Sequence, residues 1–326
     1  MKFFLLAFFF VFVFFSCNNE IQELLPGVTG KAGEVLVVVD QTNWRGELGD
    51  SIRAVLQQEF PAVPQPEACF DPISIPNSAF SKLFRSHRNI IFINFSSDFK
   101  EPKMIVKKDV HAESQFIMDI NVSDKKSCID FIMRRRDAII DLLTNAERDR
   151  IISNYRKYPE RSIIDVLKTR HNVNLTIPSG YILSVDSADF VWISLETPMI
   201  SQGILIYSYN YTDTNTFTLD YLVEKRDRFL KKYVPGALPN TYMITAKNFP
   251  VEFSEFEHEG KYTAGLRGLW EVQNDFMGGP FISFSKVDEK KNKVVTVEGF
   301  VYAPKYDKRN YLRQVEAILY TFKIVE

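Results

Sequence analysis

The hydrophobic pattern changes character partway along the chain, and that change constrains the fold more than any motif does. Before about residue 174, apolar runs alternate with helical stripes. Residues 34–40 carry the unbroken run Val35-Leu36-Val37-Val38-Val39, the pattern of a strand buried on both faces. Leu48, Ile52, Val55, Leu56 and Phe60 then recur at helical spacing until Pro61 stops them. An extended segment at 70–76, a short helix at 78–85 and strands at 89–95, 103–107 and 115–122 follow. Strands alternating with helices predict an α/β sheet over residues 33–122. A helical stretch at 124–157 is striped by Ile129, Ile132, Met133, Ile139, Ile140 and Leu143 and broken by Pro159. With a second helix ending near His171, it reads as a helical connector over 123–173.

After residue 174 the strands succeed one another as a meander. Strands are expected at 181–185, 190–196, 203–211, 241–246, 251–257, 262–272, 280–287 and 293–302. Helices are expected at 219–233 and 308–322, the second with Asp307 placed to cap it. Residues 204–233 and 294–322 echo each other: a tyrosine-ended strand, a short loop and an amphipathic helix. The expected fold class is therefore mixed. An N-terminal α/β lobe precedes an α+β lobe over 174–326, whose antiparallel sheet is covered by helices.

The start of the chain gives an address. Lys2 precedes a thirteen-residue apolar run at 3–15, then Ser16 and Cys17-Asn18-Asn19-Glu20. The run is short for a membrane span, which needs about 18 residues, and fits an export signal. A cysteine directly after a small residue turns such a signal into a lipoprotein signal. The Cys17 thiol receives a diacylglycerol, the chain is cut before it, and the new amino terminus is acylated. Phe-rich signals ending in Ser-Cys resemble those of Bacteroidota lipoproteins, although Phe14 stands where leucine is usual. The expectation is a signal over 1–16, a tether over 17–32 and a membrane anchor through lipid alone. Asn18-Asn19-Glu20 lacks the acidic run of surface-exported lipoproteins, so the periplasmic face of the outer membrane is expected rather than the cell surface.

Loss of Lys2 with the signal leaves 39 basic residues against 41 acidic ones, a balance that argues against a nucleic-acid partner. Cys69 and Cys128 would then lie in an oxidising compartment, where a disulfide between them and two separately buried thiols both stay open. The segment Gly27-Val28-Thr29-Gly30-Lys31-Ala32 is not a phosphate loop: its glycine spacing is wrong and no Ser or Thr follows the lysine. No nucleophile elbow, zinc-protease helix, dinucleotide fingerprint or Cys-x-x-Cys occurs. His87, His111, His171 and His258 are scattered. His258 sits among Glu255, Glu257 and Glu259, but on a strand those glutamates share one face and the histidine takes the other. Arg134-Arg135-Arg136 fan around a helix axis as a wetted surface. No catalytic residue, metal ligand or cofactor is assigned.

One candidate binding patch emerges from strand periodicity. Around Arg267, period two places Thr263, Gly265, Arg267, Leu269 and Glu271 on one face. Tyr262, Ala264, Leu266, Gly268, Trp270 and Val272 take the other, core-like face. Arg267 and Glu271 are expected to meet Glu298 from a nearby strand, beside a turn at Gly278-Gly279-Pro280. Arginine's planar fork suits two-point recognition of a partner acid. The plainer reading of the same residues is a surface ion pair of small energetic weight.

Ile177-Pro178-Ser179-Gly180-Tyr181, followed by the strand and helix order above, resembles the PsbP-like α/β/α sandwich. Arg267-Gly268-Leu269-Trp270, Met277-Gly278-Gly279-Pro280-Phe281 and the segment from Val297 to Pro304 are similar to an uncharacterised Bacteroidota lipoprotein family. That family is a domain of unknown function, so the resemblance implies address and architecture without an activity. PsbP-like domains often serve as assembly or accessory factors. The expected role is thus a lipid-anchored binding module for an envelope protein or glycan. The alternative is an envelope hydrolase with dispersed carboxylates. A deep pocket with two facing carboxylates would favour the hydrolase, and a sheet face with aromatic patches the binder.

Overall fold

The computed structural model describes residues 24–325. The signal, Cys17 and the first part of the tether lie outside the described residues. The first sheet contains β1 (Glu34–Val38), β2 (Asp71–Ile75), β3 (Asn89–Phe95), β4 (Lys103–Lys108) and β5 (Phe116–Val122). Their order is β2-β1-β3-β5-β4, parallel except for the antiparallel edge strand β4. The valine run of β1 is explained by its central place. Val35 and Val37 face one apolar cluster, while Leu36 and Val38 face another.

Helices α1 (Gln41–Trp44) and α2 (Glu47–Leu56) follow β1, and the four-residue α3 (Lys82–Arg85) precedes β3. The long helical stretch divides into α4 (Lys125–Arg134) and α5 (Arg136–Lys157), broken at Arg135, with α6 (Arg161–His171) after Pro159. Arg134, Arg135 and Arg136 are all exposed, as a solvated surface requires. Residues 123–157 do more than connect. Cys128, Ile132, Ile139, Leu143 and Ala146 join one continuous core with residues of both lobes, including Val35, Ile91, Ile204, Val297, Val315 and Phe322.

The second sheet begins after β6 (Val173–Asn174). It comprises β7 (Ile182–Asp186), β8 (Phe190–Glu196), β9 (Ser201–Asn210), β10 (Met243–Thr245), β11 (Glu252–His258), β12 (Lys261–Val272), β13 (Gly278–Asp288) and β14 (Lys293–Tyr302). Its antiparallel order is β10-β12-β13-β14-β9-β8-β7, with β11 also paired to β12. Helix α7 (Leu219–Tyr233) covers one face through Leu222, Phe229 and Leu230. Helix α8 (Arg309–Leu319) covers the other through Leu312, Val315, Ile318 and Leu319. The echoed strand–helix passages are therefore β9–α7 and β14–α8: the strands are neighbours and the helices lie on opposite faces. A short strand β15 (Lys323–Ile324) closes onto β6.

Asp307 does not cap α8. The carboxylate of Glu67, from the loop before β2, does so instead. Lys308 N and Arg309 N donate to its Oε1 and Oε2 at 2.6 and 2.8 Å. Arg309 also donates to Ala68 O at 2.6 Å and pairs with Asp71 at 2.7 Å, and Arg313 Nη2 donates to Cys69 O at 2.8 Å. The first lobe thus grips the start of the helix that completes the second. Cys69 and Cys128 are separate buried thiols rather than a disulfide, and burial raises the Cys128 thiol to about 12.

Candidate functional site

The expected convergence of Arg267, Glu271 and Glu298 is corrected by strand register. Residues directly opposite in neighbouring strands share a face. Across β12, β13 and β14 the aligned rows are Leu266–Ser283–Glu298 and Arg267–Ile282–Gly299. Glu298 therefore lies on the α7 face, whereas Arg267 points towards α8. There Arg267 Nη2 donates to Glu316 at 2.7 Å, its guanidinium stands 5.7 Å from the Phe60 ring centroid, and Nη1 has no partner among the described residues. Glu271 pairs in register with Gly278 and is partly exposed. Gly278 and Gly279 belong to β13, not to a turn.

Glu298 is engaged by a residue that periodicity alone did not single out. Arg226 and Glu298 are both fully buried, at 0% exposure. Arg226 Nε and Nη2 donate to Glu298 Oε2 and Oε1 at 2.9 and 2.7 Å. Nη1 donates to Thr245 Oγ1 at 2.8 Å, and the guanidinium stacks 3.6 Å from the Phe281 centroid. Burial pushes the Glu298 carboxyl upwards, and Arg226 opposes that shift. With every strong donor and acceptor satisfied, the pair is a strut between α7 and the sheet, closed to ligands. Its sequence signal was present: Arg226 sits within the apolar stripe Leu222, Phe229 and Leu230.

The α7 face nonetheless carries an open site. Helix α7 has 15 residues, about 22 Å of helix, and ends before the sheet does. Beyond it lies a cavity of about 460 Å³ walled by Trp192, Trp270, Phe300, Tyr302, Met243 and Met277. Residues 197–200 between β8 and β9 and residues 234–237 after α7 close its sides. Trp270 meets Phe300 edge-on at 5.6 Å and donates from Nε1 to Val301 O at 3.3 Å. Trp192 Nε1 is buried without a hydrogen-bond partner among the described residues. At the rim, the Glu196 carboxylate accepts from Ser201 Oγ at 2.7 Å.

Two glycines make these walls possible. A Cβ at Gly279 would stand 2.1 Å from Val301 O and 3.2 Å from Trp270 Nε1. One at Gly203 would stand 2.0 Å from the Phe300 ring. Gly279 therefore contributes to the candidate site, but as backing for Trp270. Leu238 and Phe276, exposed, adjoin the lining residues Ala237 and Met277 in the chain. Chemically, the cavity offers apolar and aromatic walls and polarisable thioethers.

The buried polar cluster around His258 is structural. Lys286 is buried, and its Nζ donates to His258 Nδ1 at 2.8 Å and His258 O at 3.0 Å. His258 Nε2 then faces Tyr320 O at 3.0 Å. Burial lowers the Lys286 ammonium to about 8. Among the described residues, no group of three or more His, Cys, Asp or Glu side chains stands in metal-holding geometry.

Fold and cavity together define a two-lobed α/β and α+β chain with an aromatic pocket at one end of its antiparallel sheet. Residues 160–321 match a family model described as a domain of unknown function, DUF4837, and residues 28–156 match a second such domain, DUF8532. The two stretches meet where α5 ends and α6 begins. No curated protein matches the chain. Among solved structures, the Saccharomyces cerevisiae Ran-binding protein Mog1p is similar at 8% identity with a TM-score of 0.32. That match covers 48% of this chain and 91% of Mog1p.

Proposed function

We propose that the protein is a lipid-anchored binding module of the cell envelope. It is tethered through acylated Cys17 at the periplasmic face of the outer membrane. Its C-terminal cavity receives an apolar or aromatic group of an envelope protein or glycan partner. The carrying observation is the wall of Trp192, Trp270, Phe300 and Tyr302 with Met199, Met243 and Met277. Such walls recognise flat or flexible apolar groups. Glu196 is the one carboxylate in the lining and is already held by Ser201, so the cavity lacks the facing acid pair that the hydrolase alternative needs. The Lys2, residues 3–15 and Ser16-Cys17 layout supports the tether.

Two measurements test this reading separately. Intact mass of the membrane fraction should show an acylated chain beginning at Cys17, and Cys17→Ala should release the protein. For the pocket, anilinonaphthalene sulfonate serves as an apolar aromatic probe. The native protein should bind it at one site, and Met277→Glu should weaken binding about tenfold or more by placing a charge in the wall. Unchanged probe binding in a folded Met277→Glu variant would remove the pocket from the proposal.

A further inference from the structure

The N-terminal sheet is covered unequally. One face packs against α2, α4 and α5, but among the described residues the other is met only by residues 77–85, a 3₁₀ turn followed by the single-turn helix α3. Phe80 seats edge-on against Phe92 at 4.9 Å, and Phe84 packs beside it. The remaining apolar surface stays open: Leu83 is 78% exposed and Ile73 is 42% exposed. Register extends the face across the sheet in the rows Ile73–Leu36–Ile90–Ile117–Lys107 and Ile75–Val38–Phe92–Asp119–Ile105.

The charges around this face are predominantly positive. Its acids are already engaged: Asp119 by Lys107 at 2.6 Å, Asp71 by Arg309 at 2.7 Å, and Glu34 by Lys31 N at 2.7 Å with His87 at 3.6 Å. Lys82, Arg85 and Lys103 are exposed and make no ion pair with any described residue. Lys82 adjoins Leu83 in α3, and Arg85 ends the same turn. An apolar projection between unpaired cations suits an anionic lipid surface, where the side chain enters the headgroup region and the cations meet phosphate.

The described chain begins on the same lobe, with Pro26 O accepting from Glu113 N at 2.8 Å before the chain reaches the end of α3. Thr29 N donates to Ser86 O at 2.8 Å, and Arg88 N donates to Thr29 O at 3.0 Å, which pins the incoming chain beside the end of α3. Twelve residues lead from Cys17 to Thr29, a reach of at most about 40 Å when fully extended. We infer that the face formed by Leu83, Ile73, Lys82, Arg85 and Lys103 docks on the anionic bilayer that carries the anchor. This inference rests on the tethered reading for its geometry, although the docking chemistry belongs to the described residues alone.

Co-sedimentation with vesicles tests it. A chain of residues 18–326 contains every described residue and carries no acyl group, so the result does not depend on acylation of Cys17. Vesicles of phosphatidylcholine are compared with vesicles of phosphatidylcholine and phosphatidylglycerol, at low and high salt. Binding should require phosphatidylglycerol and weaken with salt. It should fall about tenfold or more in Lys82→Glu/Arg85→Glu and in Leu83→Asp, with circular dichroism unchanged. Equal sedimentation with both vesicle types, or variants that bind like the native chain, would overturn the inference. So would a Leu83→Asp effect confined to dissociating a dimer in light scattering, which would assign the face to a second copy.

Discussion

Arg226 and Glu298 show how one residue changes meaning once its partner is known. In the sequence Glu298 looks like a surface acid two strands from Arg267, because the parity of β14 relative to β12 depends on how β13 aligns between them. One residue of register decides which face receives the carboxylate. The alternation within β12 itself was legible, since Ala264, Leu266, Trp270 and Val272 do form the core-facing set. Removing one partner of this pair leaves a buried charge uncompensated. Arg226→Met should therefore cost about 3–5 kcal/mol in denaturant unfolding, and Arg226→Met/Glu298→Leu should recover most of that loss. A double variant as unstable as the single one would show that packing, not the stranded carboxylate, sets the cost.

At the scale of elements, periodicity located nearly every strand and helix, because burial on one or both faces writes a period of 2 or 3.6 into the chain. The capping of α8 shows where such reading stops. Asp307 stood at the right sequence position and is exposed, while Glu67 arrives from 241 residues away. Helix ends need acceptors for their free N–H groups, and tertiary structure can bring one that no local pattern reveals. The same limit hid the cavity, whose walls come from separate strands, the end of α7 and two loops. A carboxylate across two amides at a helix start has both hydrogen-bond and dipole value. Glu67→Gln should lower stability by about 1–2 kcal/mol in urea unfolding, whereas Asp307→Ala should change it by less than about 0.5 kcal/mol.

For the whole molecule, the change of pattern near residue 174 marks a real change of architecture, from a mainly parallel sheet to an antiparallel one, but not a break in the core. Side chains from β1, β3, α4, α5, β9, β14 and α8 pack in one cluster. Cooperativity should follow that cluster rather than the sheets. The three tryptophans allow a check, since Trp44 belongs to the first lobe and Trp192 and Trp270 to the second. In a Trp192→Phe/Trp270→Phe chain, Trp44 fluorescence and far-ultraviolet circular dichroism should report one shared urea midpoint. Two separated midpoints would show lobes that unfold independently.

The place of α8 in the chain has a consequence for how the protein is made. This helix begins at residue 309, yet it fills the space between lobes whose other parts emerge much earlier. Until it arrives, α5 on one side and β9, β13 and β14 on the other lack part of their common cover. Neither half can reach its final packing until the segment that carries α8 has been synthesised.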